Sequence, residues 1–203
     1  WEYTRPWHDY IARSQFLLQQ GKFFADFIYF FGEGAPLHVK DMELDLPYGY
    51  DYDLCSSDIL QKMKVRDDKI VLPGGMSYDF LVLPNSEKIT LSSIEKIKEL
   101  AGEGAKIIAQ KKFTGTPGLS GFPESDEKVK EISDELWAKD HIIKNTKWEN
   151  ILNEKQLKPD FSGQNLNYIH RKINDIDIYF VANPKPEFAE TNCRFRVFGK
   201  VPE

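Results

Sequence analysis

The chain is poor in the features that most quickly betray a function. Of its 203 residues only two are cysteine, Cys55 and Cys193, far apart and without further thiols to join them. They build neither a disulfide framework nor a spaced zinc site. No apolar run approaches the roughly 20 residues that a membrane-spanning helix needs. The longest, residues 23–31, is interrupted by Asp26 and has the length of a strand. Positive charge is not in excess either: 27 Lys and Arg stand against 32 Asp and Glu, a net charge of −5. That balance excludes the basic face which nucleic acid or an anionic membrane would call for. What is present suits a globular chain, with 41% hydrophobic, 13% aromatic and 29% charged residues. At this length a chain buries about 70% of the surface its unfolded form exposes, so it needs no metal or disulfide to fold. It opens on Trp1-Glu2-Tyr3-Thr4, with no initiator Met and no signal peptide, and stops just after a strand-like segment. It is therefore expected to be an excised piece of a longer protein.

Periodicity organises the rest. Trp7, Tyr10, Ile11, Ser14, Leu17 and Leu18 share one face of a helix that Pro6 opens and Gly21 stops. Residues 23–30 are nearly continuously apolar, as in a strand covered on both faces. A loop through Gly32-Glu33-Gly34 and further acidic residues leads to a short strand at 49–55, and Ser56 or Ser57 can cap a helix over 58–63. Residues 69–72, a Pro73-Gly74-Gly75 turn and residues 78–84 predict an edge hairpin and a second buried strand. Thr90 caps a helix with Leu91, Ile94, Ile97, Leu100 and Ala101 on one face, followed by a third buried strand at 105–109. A helix over 125–137, a short strand at 141–143 and a short helix at 148–152 come next. From Leu166 the period becomes two, giving strands at 168–172 and 178–183 around a turn at Asn174-Asp175. Residues 194–197 read as the first strand of a following β-domain. Strands alternating with amphipathic helices predict an α/β fold, an open parallel sheet with helices on both faces, plus a C-terminal β-hairpin.

In such sheets ligands sit beyond the C-terminal ends of the strands. Here those ends are Gly32-Glu33-Gly34, Cys55-Ser56, Pro84-Asn85-Ser86 and the loop 111–121. Gly32-Glu33-Gly34 lacks the third glycine and the helix start that would aim N–H groups at a phosphate, and Glu33 would repel one. After the 105–109 strand, where glutamine amidotransferases keep a nucleophilic cysteine, this chain has Gln110-Lys111-Lys112. Cys55 lies between a strand and a helix, but its only candidate bases are His38 and His170, and packing is the usual fate of a lone thiol. The most unusual cluster is Tyr50-Asp51-Tyr52-Asp53. Two aspartates two apart on a strand share a face, where they could accept hydrogen bonds from sugar hydroxyls. The alternative is that one caps the next helix and the other meets a lysine at an interface. Glu33, Glu43, Asp45, Asp51 and Asp53 are numerous enough for glycosidase chemistry, but their spacing does not establish the opposed pair, about 5–9 Å apart, that it needs. The candidate contacts to a substrate cleft are Glu33, His38, Tyr50, Asp51 and Asp53. His170-Arg171 is expected to be structural, with Arg171 paired to Asp175 or Asp177, and Trp7 and Trp137 are expected to pack in a core or an interface.

Several strings, taken in order, resemble one family. They are Tyr10-Ile11-Ala12-Arg13-Ser14-Gln15-Phe16-Leu17-Leu18-Gln19-Gln20-Gly21-Lys22, Leu46-Pro47-Tyr48-Gly49-Tyr50-Asp51-Tyr52-Asp53, Leu72-Pro73-Gly74-Gly75-Met76-Ser77-Tyr78, Leu119-Ser120-Gly121-Phe122-Pro123, Ile169-His170-Arg171 and Asp177-Ile178-Tyr179-Phe180-Val181-Ala182-Asn183. Over nearly the whole chain the set resembles the α-L-rhamnosidases of glycoside hydrolase family 106. The resemblance implies a large bacterial enzyme, secreted or periplasmic, that removes terminal rhamnose from plant pectic polysaccharide by inversion. Its catalytic glutamates and an associated calcium belong to a (β/α)₈ barrel that would lie upstream of Trp1. No catalytic glutamate of the family matches a position here, so the resemblance assigns this chain no catalytic residue, cofactor or metal. The matched region resembles the flavodoxin-like, class I glutamine amidotransferase-like domain that follows the barrel, without its nucleophile. On this resemblance residues 1–22 are expected to be a leading helix, the last of the barrel, 23–165 the α/β domain, and 166–203 strands that complete it and lead into a β-sandwich. The function implied is that of a non-catalytic accessory domain, with the barrel and the sandwich of the same chain as partners. Two alternatives stand beside it. One is a carbohydrate-binding module that holds rhamnose-containing oligosaccharide through the 33–53 loop, and the other is a stand-alone enzyme using Cys55 or the acidic loop.

Overall fold

The computed structural model describes residues 1–34, 46–139, 141–144 and 147–201. The chain opens with α1 (Arg5–Leu18) and β1 (Lys22–Phe23), then β2 (Phe27–Phe30), β3 (Tyr52–Cys55) and the single-turn α2 (Ser57–Leu60). Three short strands, β4 (Lys64–Arg66), β5 (Lys69–Val71) and β6 (Ser77–Tyr78), precede β7 (Phe80–Val82). Helices and strands then alternate through α3 (Leu91–Gly102), β8 (Ile107–Ala109), α4 (Glu124–Ala138), β9 (Ile142–Lys144) and α5 (Trp148–Glu154). The last elements are β10 (Phe161–Ser162), β11 (Asn167–Ile173), β12 (Ile176–Ala182) and β13 (Arg194–Phe195). Two compact units result, one of Ala25–Pro47 and Tyr52–Leu157, the other of Trp1–Phe24, Tyr48–Asp51 and Lys158–Glu203.

The first unit is the expected α/β sheet. Among the described residues five strands lie in the order β3-β2-β7-β8-β9, every pairing parallel. By order of appearance this is 2-1-3-4-5, one of the two common doubly wound arrangements. The strands read as apolar because they are covered on both faces: every residue of β2, β7 and β8 is buried. Phe27 stacks on Phe80 at 5.2 Å between ring centroids, and Trp148 of α5 meets Phe27 edge-on at the same distance. Ile94, Ile97, Leu100 and Ala101 form the buried stripe of α3, as their spacing predicts, and the Thr90 hydroxyl caps it by accepting from Ser93 N–H at 3.4 Å. α4 packs beside α3 through Val129 and Leu136, and Trp137 meets Phe113 edge-on at 6.5 Å, the packing role expected of it.

Two predicted strands break where an aspartate interrupts them. Residues 23–30 do not form one strand: β1 joins the other unit, and β2 enters the parallel sheet after a break at the buried Asp26. The Asp26 carbonyl accepts from both Asp79 N–H (2.8 Å) and Phe80 N–H (3.1 Å). The same contact divides residues 78–84 at Asp79, leaving β6 in an antiparallel sheet of order β4-β5-β6 and β7 in the parallel one. Strand β4 was not foreseen. It turns into β5 through Asp67 and Asp68, with φ of 51° and 58°, the left-handed pair that a tight hairpin requires.

In the second unit β1, β11 and β12 form an antiparallel sheet, and the long β11–β12 hairpin turns at Asn174, whose φ is 53°. β13 pairs antiparallel with β10, so residues 194–195 close back on this unit. Gly49 has a φ of 91°, and a Cβ there would lie 2.2 Å from the Phe161 carbonyl oxygen, so only glycine fits. No residue of α1 is buried. Trp7, expected to pack in a core or an interface, is 62% exposed, which leaves the interface alternative. No helix among the described residues is long and apolar enough to cross a membrane.

Candidate functional site

The place where this sheet order holds a ligand is the crevice beyond the C-terminal ends of the first and third strands, here β2 and β7. Glu33 stands there, two residues past Phe31. Its Oε2 accepts from the Thr90 N–H at 2.7 Å, and its Oε1 accepts from the hydroxyls of Thr90 and Ser93, both at 2.8 Å. The helix start that the Gly32-Glu33-Gly34 string lacks is thus supplied by α3. The carboxylate rests on the positive end of that helix and satisfies a donor that would otherwise meet an anion. The chain has filled its own switch point.

Asp53, the other expected site residue among the described residues of this unit, is engaged elsewhere. Asp53 lies on β3, where its Oδ1 accepts from Leu54 N–H and its Oδ2 from the Tyr78 hydroxyl, each at 2.8 Å. Burial, and then the hydrogen bond to Asp53 and its charge, push the Tyr78 phenol well above its ordinary range. Because β3 begins at Tyr52, Asp51 precedes the strand and falls with Tyr50 in the second unit, so the two aspartates do not share a strand face. Tyr50 and Asp51 are both half-buried. His38, Glu43 and Asp45 lie outside the described residues. Cys55 is only 2% exposed, and burial, with the Asp53 charge behind it, pushes its thiol up to about 12. A nucleophilic cysteine needs the opposite shift.

The loop at the end of β8 is also tied inward. Asp126 Oδ1 accepts from the Thr116 N–H (2.9 Å) and hydroxyl (2.7 Å), and Lys88 Nζ lies 3.8 Å from Oδ2. Those Thr116 hydrogen bonds, with Lys88 adding its charge, hold the Asp126 carboxyl below the usual carboxylate range.

The most organised polar cluster is one the sequence did not assemble. His170, 1% exposed on β11, places Nδ1 2.8 Å from Asp160 Oδ2 and Nε2 2.9 Å from Asp177 Oδ1. The Tyr179 ring stacks on the imidazole at 4.0 Å, and its hydroxyl donates to Asp160 Oδ1 at 2.8 Å. Around this core Arg196 lies 3.6 Å from Asp160, Lys172 3.4 Å from Asp177, and Lys200 also donates to Asp177. The expected Arg171–aspartate pair is not formed, because Arg171 donates instead to the carbonyls of Gln20 and Gly21. Burial raises the Asp177 carboxyl, but the hydrogen bonds from Lys200 and His170 and the Lys172 charge outweigh it and hold the group below its ordinary value. Burial and the neighbouring Asp160 push the Tyr179 phenol up. With both ring nitrogens engaged by carboxylates and no solvent access, His170 acts as a clasp between Asp160 and Asp177. The His170-Arg171 string and the string from Asp177 marked parts of this place in the sequence, but nothing local joined them to each other or to Asp160.

Comparison with known proteins bears on the whole chain. Residues 1–203 match the model of a glycoside hydrolase family described as alpha-L-rhamnosidase. A protein of Formosa agariphila named "Putative beta-glucuronidase" is 39% identical over 208 positions, which cover 100% of this chain and 18% of that protein. The solved structure of a rhamnosidase from Novosphingobium sp. PP1Y superposes with a TM-score of 0.85 at 29% identity, covering 98% of this chain and 21% of that one. The chain spans about a fifth of the length of these relatives. It belongs to glycoside hydrolase family 106, the α-L-rhamnosidase family.

Proposed function

We propose that this chain is a non-catalytic accessory piece of a larger bacterial glycoside hydrolase of the rhamnosidase type. On this reading residues 1–22 close an upstream (β/α)₈ barrel, 23–165 form an α/β domain that braces it, and 166–203 complete that domain and lead into a β-sandwich. The parent enzyme removes rhamnose from pectic polysaccharide, and its catalytic glutamates and calcium lie in the barrel. The observation that supports an accessory role most directly is the filled switch point, where Glu33 takes the helix terminus that a ligand would use. A buried Cys55 with a thiol at about 12 supports it too. Bracing is supported by α1, whose Trp7, Tyr10 and Leu17, on one helix face, are 62%, 48% and 41% exposed, an apolar surface of the kind that marks an interface.

The two relatives also fit such a role. One is named for a rhamnoside, whose glycone is neutral, and the other for a glucuronide, whose glycone carries a carboxylate. A pocket that tells these apart must differ in charge, so a piece shared by both is best suited to a task other than reading the glycone. A carbohydrate-binding role for the 33–53 stretch has to do without Glu33 and Asp53, whose oxygens already accept hydrogen bonds inside the α/β unit.

The test has two arms. The 203-residue chain is expected to release no nitrophenol from p-nitrophenyl α-L-rhamnoside. Turnover that disappears in Asp53→Asn or Cys55→Ala would overturn the reading in favour of a stand-alone enzyme. In the full-length parent, replacing Trp7, Tyr10 and Leu17 together by serine should lower the temperature at which activity is lost while leaving KM unchanged. Identical heat inactivation would remove the bracing role.

A further inference from the structure

In the unit that contains the long hairpin, Gln164, Asn165 and residues of the loop between Asn183 and Thr191 line an open cleft of about 360 Å³. The chain itself fixes the walls. Asn183 donates from Nδ2 to the Glu187 carbonyl at 2.7 Å and accepts at Oδ1 from the Lys185 N–H at 3.0 Å, so one side chain closes the loop. The Thr191 hydroxyl accepts from the Gln164 N–H at 3.4 Å and links the two walls. Behind them the Tyr48 hydroxyl lies 2.6 Å from the Leu166 carbonyl and also reaches that of Gly163. The lining so framed includes Gln164, Asn165, Lys185, Glu187 and Phe188, the last of which is 90% exposed.

This combination specifies a ligand with an apolar face and a rim of hydroxyls. Amides donate and accept at once, as vicinal hydroxyls do, and an exposed aromatic ring offers its electron-rich face to the C–H groups of a pyranose. Lys185 is opposed by Glu187 and Glu190, so the lining exerts no net pull on a carboxylate or a phosphate. The volume is at the low end of the roughly 300–1,000 Å³ of ligand sites, room for one or two rings. We propose that this cleft is a secondary carbohydrate subsite for a neutral pyranose, with Phe188 as its stacking platform and Gln164, Asn165 and Glu187 as its hydroxyl partners. It lies apart from the 33–53 stretch in sequence and rests on the reading of the chain as part of a polysaccharide-degrading enzyme.

The test is an amide-resolved NMR titration of the 203-residue chain with methyl α-L-rhamnopyranoside, and separately with D-galacturonate, up to about 50 mM, well above the ~1 mM that a weak single-ring site requires. Saturable shifts are expected at Gln164, Asn165 and residues 183–191 with the neutral sugar. Phe188→Ala should weaken binding roughly tenfold, the worth of one aromatic stacking contact, while Phe188→Tyr keeps it within about twofold. Because the ring is exposed, the thermal midpoint of Phe188→Ala should match the parent's, which separates lost binding from lost structure. No saturable shift, equal shifts in Phe188→Ala, or tighter binding of galacturonate would each overturn the proposal. A silent titration leaves the accessory reading standing, since that is decided by the hydrolysis assay.

Discussion

Removing the Glu33 carboxylate tests the idea that the chain fills its own ligand crevice. In Glu33→Ala the Thr90 N–H and the hydroxyls of Thr90 and Ser93 lose their acceptor together. Hydrogen bonds to a charged group are worth about 1.5–3 kcal/mol each, but Glu33 and Thr90 are only half-buried, so water makes good roughly two of the three and the net loss is about one such bond. Losing a negative charge from the first turn of α3 adds about 0.5–1 kcal/mol. The sum is about 2–4 kcal/mol, or roughly 5–15 °C in thermal midpoint for a chain of this size. Glu33→Gln should cost only about 1 kcal/mol, because both hydroxyls can rotate to accept from the new amide while its oxygen still takes the Thr90 N–H. The measurement is urea unfolding followed by amide exchange in α3. Phosphate supplies the decisive arm. Once Glu33 is gone the helix terminus is free for an anion, and a site of ~10 mM affinity in ~100 mM phosphate returns about 1.4 kcal/mol to Glu33→Ala and nothing to the parent. If Glu33→Ala unfolds within about 0.5 kcal/mol of the parent, the ordinary scatter of surface changes, the carboxylate is not a structural cap and the reasoning fails. If phosphate stabilises both chains equally, the crevice was never closed.

Two further outcomes follow from the same geometry. Iodoacetamide at pH 8 should label the exposed Cys193 and leave Cys55, whose thiol sits at about 12, unlabelled until the chain is unfolded; mass spectrometry reads both sites, and rapid labelling of native Cys55 would contradict its burial. The stability gap between the parent and Asp177→Asn should be full above the unfolded carboxyl value near ~4 and should close as pH falls through the lower folded value, because the depressed group gives its stabilisation only while ionised. Urea midpoints between pH 3 and 7 measure the gap, and one that widens in acid would reverse the sign.

Much of the α/β unit was legible because its strands are covered on both faces and its helices carry apolar stripes, so composition and period report burial directly. The Thr90 cap and the stripe from Ile94 to Ala101 of α3 are examples. What the sequence hid were breaks imposed by tertiary contacts. Asp26 interrupts the apolar run of 23–30, but nothing local says that the strand divides there; the division exists because that residue's carbonyl is claimed by Asp79 and Phe80, more than fifty positions away. The Asp67-Asp68 turn was missed because aspartate adopts left-handed backbone less often than the glycine that usually marks such hairpins. The site suffered more than the fold. Glu33 stood out as a candidate cleft contact, but its partners belong to a helix that begins at Leu91, and the spacing of a sequence carries no information about such a contact.

The same limit explains why His170 stood out while its cluster did not, and it also suggests what the cluster is for. A half-buried hairpin normally sets its register through alternating apolar and polar residues, since a slip of one residue exchanges the two faces. β12 offers no such alternation: after Ile176 every residue through Ala182 is half-buried. Hydrophobic burial therefore discriminates weakly between registers here. In the observed one His170 stands opposite Tyr179, and Lys172 opposite Asp177. Shifted by one, Arg171 would replace His170 between the two aspartates, and the stacked imidazole would lose Tyr179 and both carboxylates. Ionic groups taken out of water add little net stability even when well paired, yet leaving one unpaired costs several kcal/mol. That asymmetry makes the Asp160–His170–Asp177 cluster a poor source of stability and a strong discriminator of register. The hairpin is specified by what it would cost to misalign it, a different principle from the apolar burial that specifies the parallel sheet.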